Sequence, residues 1–143
     1  MLVFRDESRV TTHEARFTNH GFLMVKPTIG IVIAFHQEAR MFARTVNGDG
    51  AVTRVDDGLL LCVCGAGATR AESAAQCLVA NGASALLSWG VCGALVTGLE
   101  AGTLLVPGAI IDSDGTALPV SSAWRDRLNN VSSLDVRPIA ETR

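Results

Sequence analysis

Three groups of residues in this chain have types and spacing that could do chemistry. Glu38 follows one apolar run, the segment Gly65–Gly67 follows a second, and the segment Gly90–Gly93 follows a third. A carboxylate in a cleft can act as a general base toward water or a hydroxyl group. Glycine-rich turns let a flat or anionic ligand approach the main chain closely. The three groups therefore predict a small-molecule site.

Each group also has an ordinary structural explanation. A glutamate in the first turn of a helix is favourable to the helix dipole, and an exposed histidine such as His36 usually has no special role. Glycines at a strand end can simply allow the chain to turn. As a dinucleotide-binding fingerprint the segment 65–70 is incomplete, because Arg70 stands where the third glycine would be. A dinucleotide-binding domain is therefore the weakest of the enzyme hypotheses.

The elements that would position these groups alternate between apolar runs and helical spacing. Short apolar runs rich in β-branched residues are typical of strands covered on both faces, and such strands alternating with helices indicate an α/β fold with a mostly parallel or mixed twisted sheet flanked by helices. The sequence predicts a strand over 29–35, a helix over 36–46, a hairpin over 51–64, a helix over 68–82, strands over 83–90 and 103–111, and a helix over 121–130.

The location of the site follows from this alternation. In parallel sheets ligands collect at the carboxyl ends of the strands, which all open on one side. Glu38, the segment 65–67 and the segment 90–93 each lie just beyond such an end. We therefore expect them to line one pocket.

Composition narrows the class of protein. The chain has 143 residues, 48% of them hydrophobic, and a net charge of −2, which fits one globular domain without a basic surface for nucleic acid. No apolar run approaches the roughly 20 residues of a transmembrane segment, and the charged N-terminus does not resemble a secretion signal. Four cysteines are expected to be reduced and buried, as in a cytoplasmic protein. No cluster has the spacing of a metal site, so no metal is predicted.

Residues 1–27 lack any sustained periodicity and are predicted to form a loose N-terminal extension. The regular pattern begins at Thr28, so residues 28–143 are predicted to form the folded unit.

The order of these motifs resembles the nucleoside phosphorylase/nucleosidase superfamily. The likeness rests on IGIVIAFHQEAR (29–40), LLLCVCGAGATRA (59–71) and LLSWGVCGALVTGLEAGTLLVPGAII (86–111). The segment GTLLVPGAIIDSDGTALPVSSAWRDRL (102–128) is most similar to the hopanoid-associated phosphorylases. The resemblance implies a three-layer phosphorylase/hydrolase-like fold.

The resemblance also implies a chemistry. Members of this superfamily cleave the N-glycosidic bond of a nucleoside with phosphate or water, so phosphate is a possible co-substrate and no other cofactor is expected. For the hopanoid branch the implied substrate is adenosyl-hopane, from which adenine is released. Glu38 matches the glutamate that activates water in the nucleosidases. The implied substrate-binding residues are Gly65, Ala66, Gly67, Gly90, Val91, Cys92 and Gly93.

The sequence departs from the family pattern in ways that bear on activity. Val91 stands where the nucleosidases have a serine, and the chain ends at Arg143, before the family's ribose clamp and the aspartate that protonates the base. We therefore expect a domain truncated at its C-terminus, weak or inactive alone, with an exposed apolar edge strand that favours a homo-oligomer. The alternative hypothesis is a catalytically dead α/β domain that only binds a nucleoside.

Overall fold

The structure is a computed structural model that describes residues 2–4, 27–111, 114–129 and 136–137. In chain order the described elements are β1 (Leu2–Phe4), β2 (Ile29–Ile33), α1 (His36–Ala39), β3 (Val52–Asp56), β4 (Leu59–Val63), α2 (Ala68–Ala80), β5 (Ala85–Trp89), β6 (Leu104–Leu105), β7 (Ala109–Ile111), β8 (Ala117–Pro119), α3 (Ser122–Asn129) and β9 (Val136–Arg137).

The main sheet is mixed and has β2 at its centre. Its strand order is β1-β5-β2-β4-β3. β2 runs parallel to both β4 and β5, whereas β3 and β1 are antiparallel edge strands. The α/β fold with a mixed sheet flanked by helices is thus confirmed. The carboxyl ends of β2, β4 and β5 open on the same side.

Alternating side chains of the parallel strands form two separate cores. One face of the sheet packs against α2 through Val32, Leu60 and Cys62, which contact Ala74 and Leu78. The opposite face carries Ile31, Ile33, Leu61 and Val63 and packs against Ala39 and the half-buried Phe42. Strands covered on both faces must be apolar at every position, which explains the unbroken apolar runs in the sequence.

Gly30 lets α2 approach the centre of the sheet. A Cβ atom at this position would lie 3.0 Å from side-chain atoms of Ala83, Leu78 and Leu86. The position is extended backbone within β2, so any cost of a side chain comes from lack of space rather than from backbone strain.

Gly30→Ala is therefore expected to lower the free energy of unfolding by about 1–3 kcal/mol, as overpacking usually does. Urea unfolding followed by circular dichroism measures the change. Gly48→Ala is the matched control, because a Cβ atom at Gly48 would meet nothing within 4 Å. Equal stability of the two variants would contradict the close approach.

Two predicted elements are shorter than expected. The helix predicted over 36–46 ends at Ala39. The chain beyond it is held by other contacts, since the Asn47 main chain donates to Thr53 Oγ1 at 2.8 Å and its side chain donates to the Val52 carbonyl at 2.7 Å. These bonds tie the segment to β3. The apolar residues Phe42, Ala43 and Val46 therefore pack against the core without forming a continuous helix.

The strand predicted over 103–111 divides at Pro107 and Gly108. β6 pairs with β9 and β7 pairs with β8, in two separate two-stranded sheets. Pro107 and Gly108, which in the sequence indicate a bulge or an edge of this strand, thus separate two short strands. Proline lacks the N–H group that a continuous ladder would need.

The hairpin and the second helix agree with the sequence. β3 and β4 are joined at Asp57–Gly58, and α2 ends at Ala80 with Asn81 as its C-cap and Gly82 at φ +95°. Glycine readily adopts this left-handed conformation, so the Asn-Gly pair is an effective helix stop.

The N-terminal segment is described only at Leu2–Phe4, which pairs with β5 as an edge strand. This short piece is antiparallel to β5 and forms an edge of the main sheet. The remaining residues of the predicted extension lie mostly outside the described residues, so the division of the chain at residue 28 stays a prediction. In the described part no helix is long and apolar enough to cross a membrane.

Candidate functional site

A cavity of about 530 Å³ lies at the carboxyl ends of β2, β4 and β5. It is where the sequence predicted a pocket, because these three parallel strands end side by side. Its lining consists of strand-end and loop residues: Val32, Ala34, Phe35, Glu38, Cys64, Gly65, Ala66, Gly67, Ala68, Ala71, Ser88, Trp89, Gly90, Val91 and Cys92. Seven of the eight predicted site residues are in this set, and Gly93 is not. Their roles in catalysis and binding stay predictions.

Glu38 is the one charged side chain among the described residues that line the cavity. It is buried, with 9% of its surface exposed. Its Oε2 accepts a hydrogen bond from the Phe35 N–H at 3.1 Å, and its Oε1 accepts one from the Val91 N–H at 3.0 Å. A buried carboxylate is tolerated only when its oxygens find donors, and main-chain amides provide them here.

The turn Gly65–Gly67 joins β4 to α2 and forms one wall. Gly65 has φ +78° and Gly67, the N-cap of α2, has φ +119°. Residues with a side chain rarely adopt such positive φ angles, which explains why both positions are glycine. The Gly65 N–H donates to the Ala34 carbonyl at 2.9 Å, so the turn is bonded to the end of β2.

The loop after β5 forms the opposite wall. Gly90 lies against Glu38, since a Cβ atom there would be 3.3 Å from Glu38 Oε1. The side chain of Val91 is 84% exposed although its N–H is bonded to Glu38. Gly93 lies farther along the loop and does not line the cavity.

Sequence reasoning missed two aromatic residues of the cavity. Phe35 ends the run after β2 and is half exposed beside the cavity, and Trp89 is the last residue of β5. The Trp89 ring packs edge-on against Phe42, with ring centroids 5.5 Å apart, which holds the indole in place. Both residues occur in the sequence motifs described above, at 29–40 and 86–111. Their position at the ends of predicted strands was the signal that could have identified them as cavity residues.

A second cavity, of about 420 Å³, adjoins the first. Asp49, Thr69, Arg70 and Ser73 are among its lining residues, and Cys64 lines both cavities. The Arg70 guanidinium lies so close to Gly65 that a Cβ atom at Gly65 would be 2.5 Å from Arg70 Nη1. Asp49 is bonded to His36 Nε2 at 2.7 Å. Arg70 therefore lines the second cavity and lies against Gly65, at the border between the two cavities.

The four cysteines differ in environment. Cys62 is fully buried, Cys64 and Cys77 are partly buried, and Cys92 is exposed, so the expectation of four buried cysteines is wrong for Cys92. Burial raises the pKa of the Cys62 thiol to about 11. Burial also raises the pKa of Cys64, although nearby Arg70 partly offsets the effect. Both thiols are therefore protonated near neutral pH, and Cys62 is inaccessible as well.

Brief alkylation of the native protein at pH 8 is expected to modify Cys92 first and to leave Cys62 unmodified, because Cys62 is inaccessible and protonated. Peptide mass spectrometry gives the extent at each position. The same reaction in urea, which removes the protection by burial, is the control. Early modification of Cys62 in the native protein would contradict the described core.

Among the residues that the structure describes, no group of three or more His, Cys, Asp or Glu side chains could hold a metal ion. The chemistry available in the cavity is that of a fixed carboxylate, main-chain amides and the aromatic residues Phe35 and Trp89.

Comparison with known families gives one match. The sequence model described as "Phosphorylase superfamily" matches residues 28–124. The matched range contains β2 to β8 and every residue that lines the cavity. Searches among curated proteins and among solved structures return no match.

Proposed function

Given that the chain belongs to the phosphorylase superfamily, we propose that its cavity binds a nucleoside and cleaves the N-glycosidic bond. Membership suggests an enzyme of the nucleoside phosphorylase/nucleosidase kind that acts on a small molecule. The observation that carries the proposal is the buried Glu38 carboxylate, fixed by two main-chain amides at the edge of a nucleoside-sized cavity.

Glu38 is the proposed general base. Each of its oxygens accepts one described hydrogen bond, and a carboxylate oxygen can accept two. A free lone pair therefore remains to take a proton from a nucleophile. General-base assistance of this kind typically contributes about 10²–10⁴-fold to a rate.

The glycine turns are the proposed binding surface for the sugar and the base. Gly65, Ala66 and Gly67 are assigned to the ribose side, and Gly90, Val91 and Cys92 to the base and sugar, whereas Gly93, which does not line the cavity, is given no role. Trp89 and Phe35 offer aromatic surface on which a planar base can stack. We propose a purine, with adenine as the leaving base.

Water is the favoured nucleophile. Among the described residues that line the cavity, Glu38 is the one charged side chain, and the Arg70 guanidinium lies at its border, against Gly65. A phosphate dianion beside an uncompensated carboxylate would be repelled, whereas water can donate to it. Phosphate stays the alternative co-substrate that the experiment below tests.

An apolar substituent on the 5′ carbon fits the surface beside the cavity. Phe35 and Val91 both line the cavity and are exposed by 50% and 84%. Exposed apolar side chains that are close together mark binding surfaces. They support a lipid-bearing nucleoside such as adenosyl-hopane as the substrate. We further propose a role in hopanoid synthesis, in a cytoplasmic homo-oligomer.

The test is release of free base from a panel of purine and pyrimidine nucleosides, measured by chromatography with and without phosphate. We expect adenine release in both buffers. Dependence on phosphate would overturn the assignment of water.

Protection of Cys92 from alkylation by the nucleoside measures binding independently, because Cys92 lines the cavity. Protection without base release would favour the binding-only hypothesis. If the nucleoside neither protects Cys92 nor releases its base, the proposed site is wrong.

A further inference from the structure

The orientation of Glu38 is set only in part by its own helix, whose N-cap residue is Phe35. α1 has only four residues, and a glutamate side chain has three rotatable bonds. The Phe35 N–H reaches Oε2 from three residues earlier in the chain and fixes one oxygen. The other oxygen is fixed from a distant part of the sequence, since Val91 lies 53 residues later.

Gly90 sets the space on that side of the carboxylate. A Cβ atom at Gly90 would stand 3.3 Å from Oε1 and 3.6 Å from both Cδ and Oε2, so the whole carboxylate lies against this residue. A contact of 3.3 Å is tighter than a Cβ atom normally makes. Gly90 does not have the left-handed φ of Gly65 and Gly67. Its missing side chain therefore matters for space and not for backbone conformation.

We propose that Gly90 and the main-chain N–H of Val91 are positioning elements for Glu38. Gly90 leaves room for the carboxylate and Val91 holds Oε1, so the loop after β5 aims the carboxylate into the cavity. The catalytic meaning of this positioning rests on the proposed function. The contact itself does not.

The variant Gly90→Ala tests the proposal, with Gly48→Ala as the control because a Cβ atom there meets nothing within 4 Å. Misplacement of a reacting group by a fraction of an ångström to 1 Å can cost up to about 10²-fold in rate. We expect Gly90→Ala to lower kcat by about 10- to 100-fold, with KM changed much less, and Gly48→Ala to leave both unchanged. Wild-type kcat in Gly90→Ala would overturn the proposal.

A readout independent of activity is the main-chain amide signal of Val91 in ¹H–¹⁵N NMR spectra. An N–H bonded to a carboxylate is shifted downfield and protected from hydrogen exchange. We expect Glu38→Ala, which removes both carboxylate oxygens, to move this signal upfield and lower its protection, Gly90→Ala to lower its protection, and Gly48→Ala to leave it in place. An unchanged Val91 signal in Glu38→Ala would overturn the proposal.

The two readouts separate the possible failures. If the wild-type protein releases no base from any nucleoside, the proposed function fails, and the Val91 signal still decides whether the loop positions Glu38. If Gly90→Ala does not fold, Glu38→Asp replaces it, because shortening the acid should withdraw the carboxylate from Val91 while Gly90 is intact. The Val91 signal should then move as in Glu38→Ala, and an unmoved signal would overturn the proposal.

Discussion

Glu38→Gln is expected to lower the rate of base release by about 10²–10⁴-fold, because the amide cannot accept the proton that a general base must take. The fold should persist. One of the two main-chain N–H groups that now face carboxylate oxygens would instead face the NH₂ group of the amide. A buried donor left without an acceptor costs about 1–3 kcal/mol. Single-turnover base release and urea unfolding measure the two effects.

Glu72→Gln is the matched control for the loss of a carboxylate. Glu72 lies on the exposed face of α2, where its side chain contacts only Gln76 among the described hydrogen bonds. In Glu72→Gln the rate of base release should stay at the wild-type value. The free energy of unfolding should change by no more than about 0.5 kcal/mol. A Glu38→Gln variant that releases base at the wild-type rate would remove Glu38 from the mechanism, whatever its stability.

Leu78→Ala is expected to lower the free energy of unfolding by about 2–5 kcal/mol, the usual cost of emptying a leucine site in a core. Leu78 is fully buried and packs α2 onto Val32, Leu60 and Cys62. Because α2 begins at the turn Gly65–Gly67, loss of this packing also loosens one wall of the cavity. Urea unfolding gives the cost.

The neighbouring residue provides the control for Leu78→Ala. Val79 is on the exposed side of the same helix, so Val79→Ala should change stability by no more than about 0.5 kcal/mol. Similar values for the two variants would mean that α2 is not held by the core described here.

The site was predictable to the extent that its signals are local. Composition alone predicts a buried strand at the apolar run 29–33. It likewise predicts a tight turn at Gly65–Gly67. The rule that parallel strands open on one side then brings Glu38, the turn and Gly90 together without knowledge of any contact. For these elements of the site, the local conformational preference of the sequence agrees with the tertiary structure.

The remainder depends on contacts between distant residues. Periodicity could not show that the helix at His36 stops after Ala39, because the apolar spacing of 39–46 is equally satisfied by the turn that Asn47 ties to β3. It could not show which of the glycines is required for space, since Gly90 meets Glu38 from 52 positions away in the chain. Gly93, which shares the motif, faces open space.

The edges of the main sheet limit how copies of this chain can associate. β1 has only three residues. β3 exposes Arg54 and Asp56, and its register shifts between them. Short, charged or irregular outer strands are poor templates for continuing a ladder into another molecule. We therefore expect copies of this protein to associate through side-chain surfaces. The backbone N–H and C=O groups at the two edges of the main sheet should not pair with another copy.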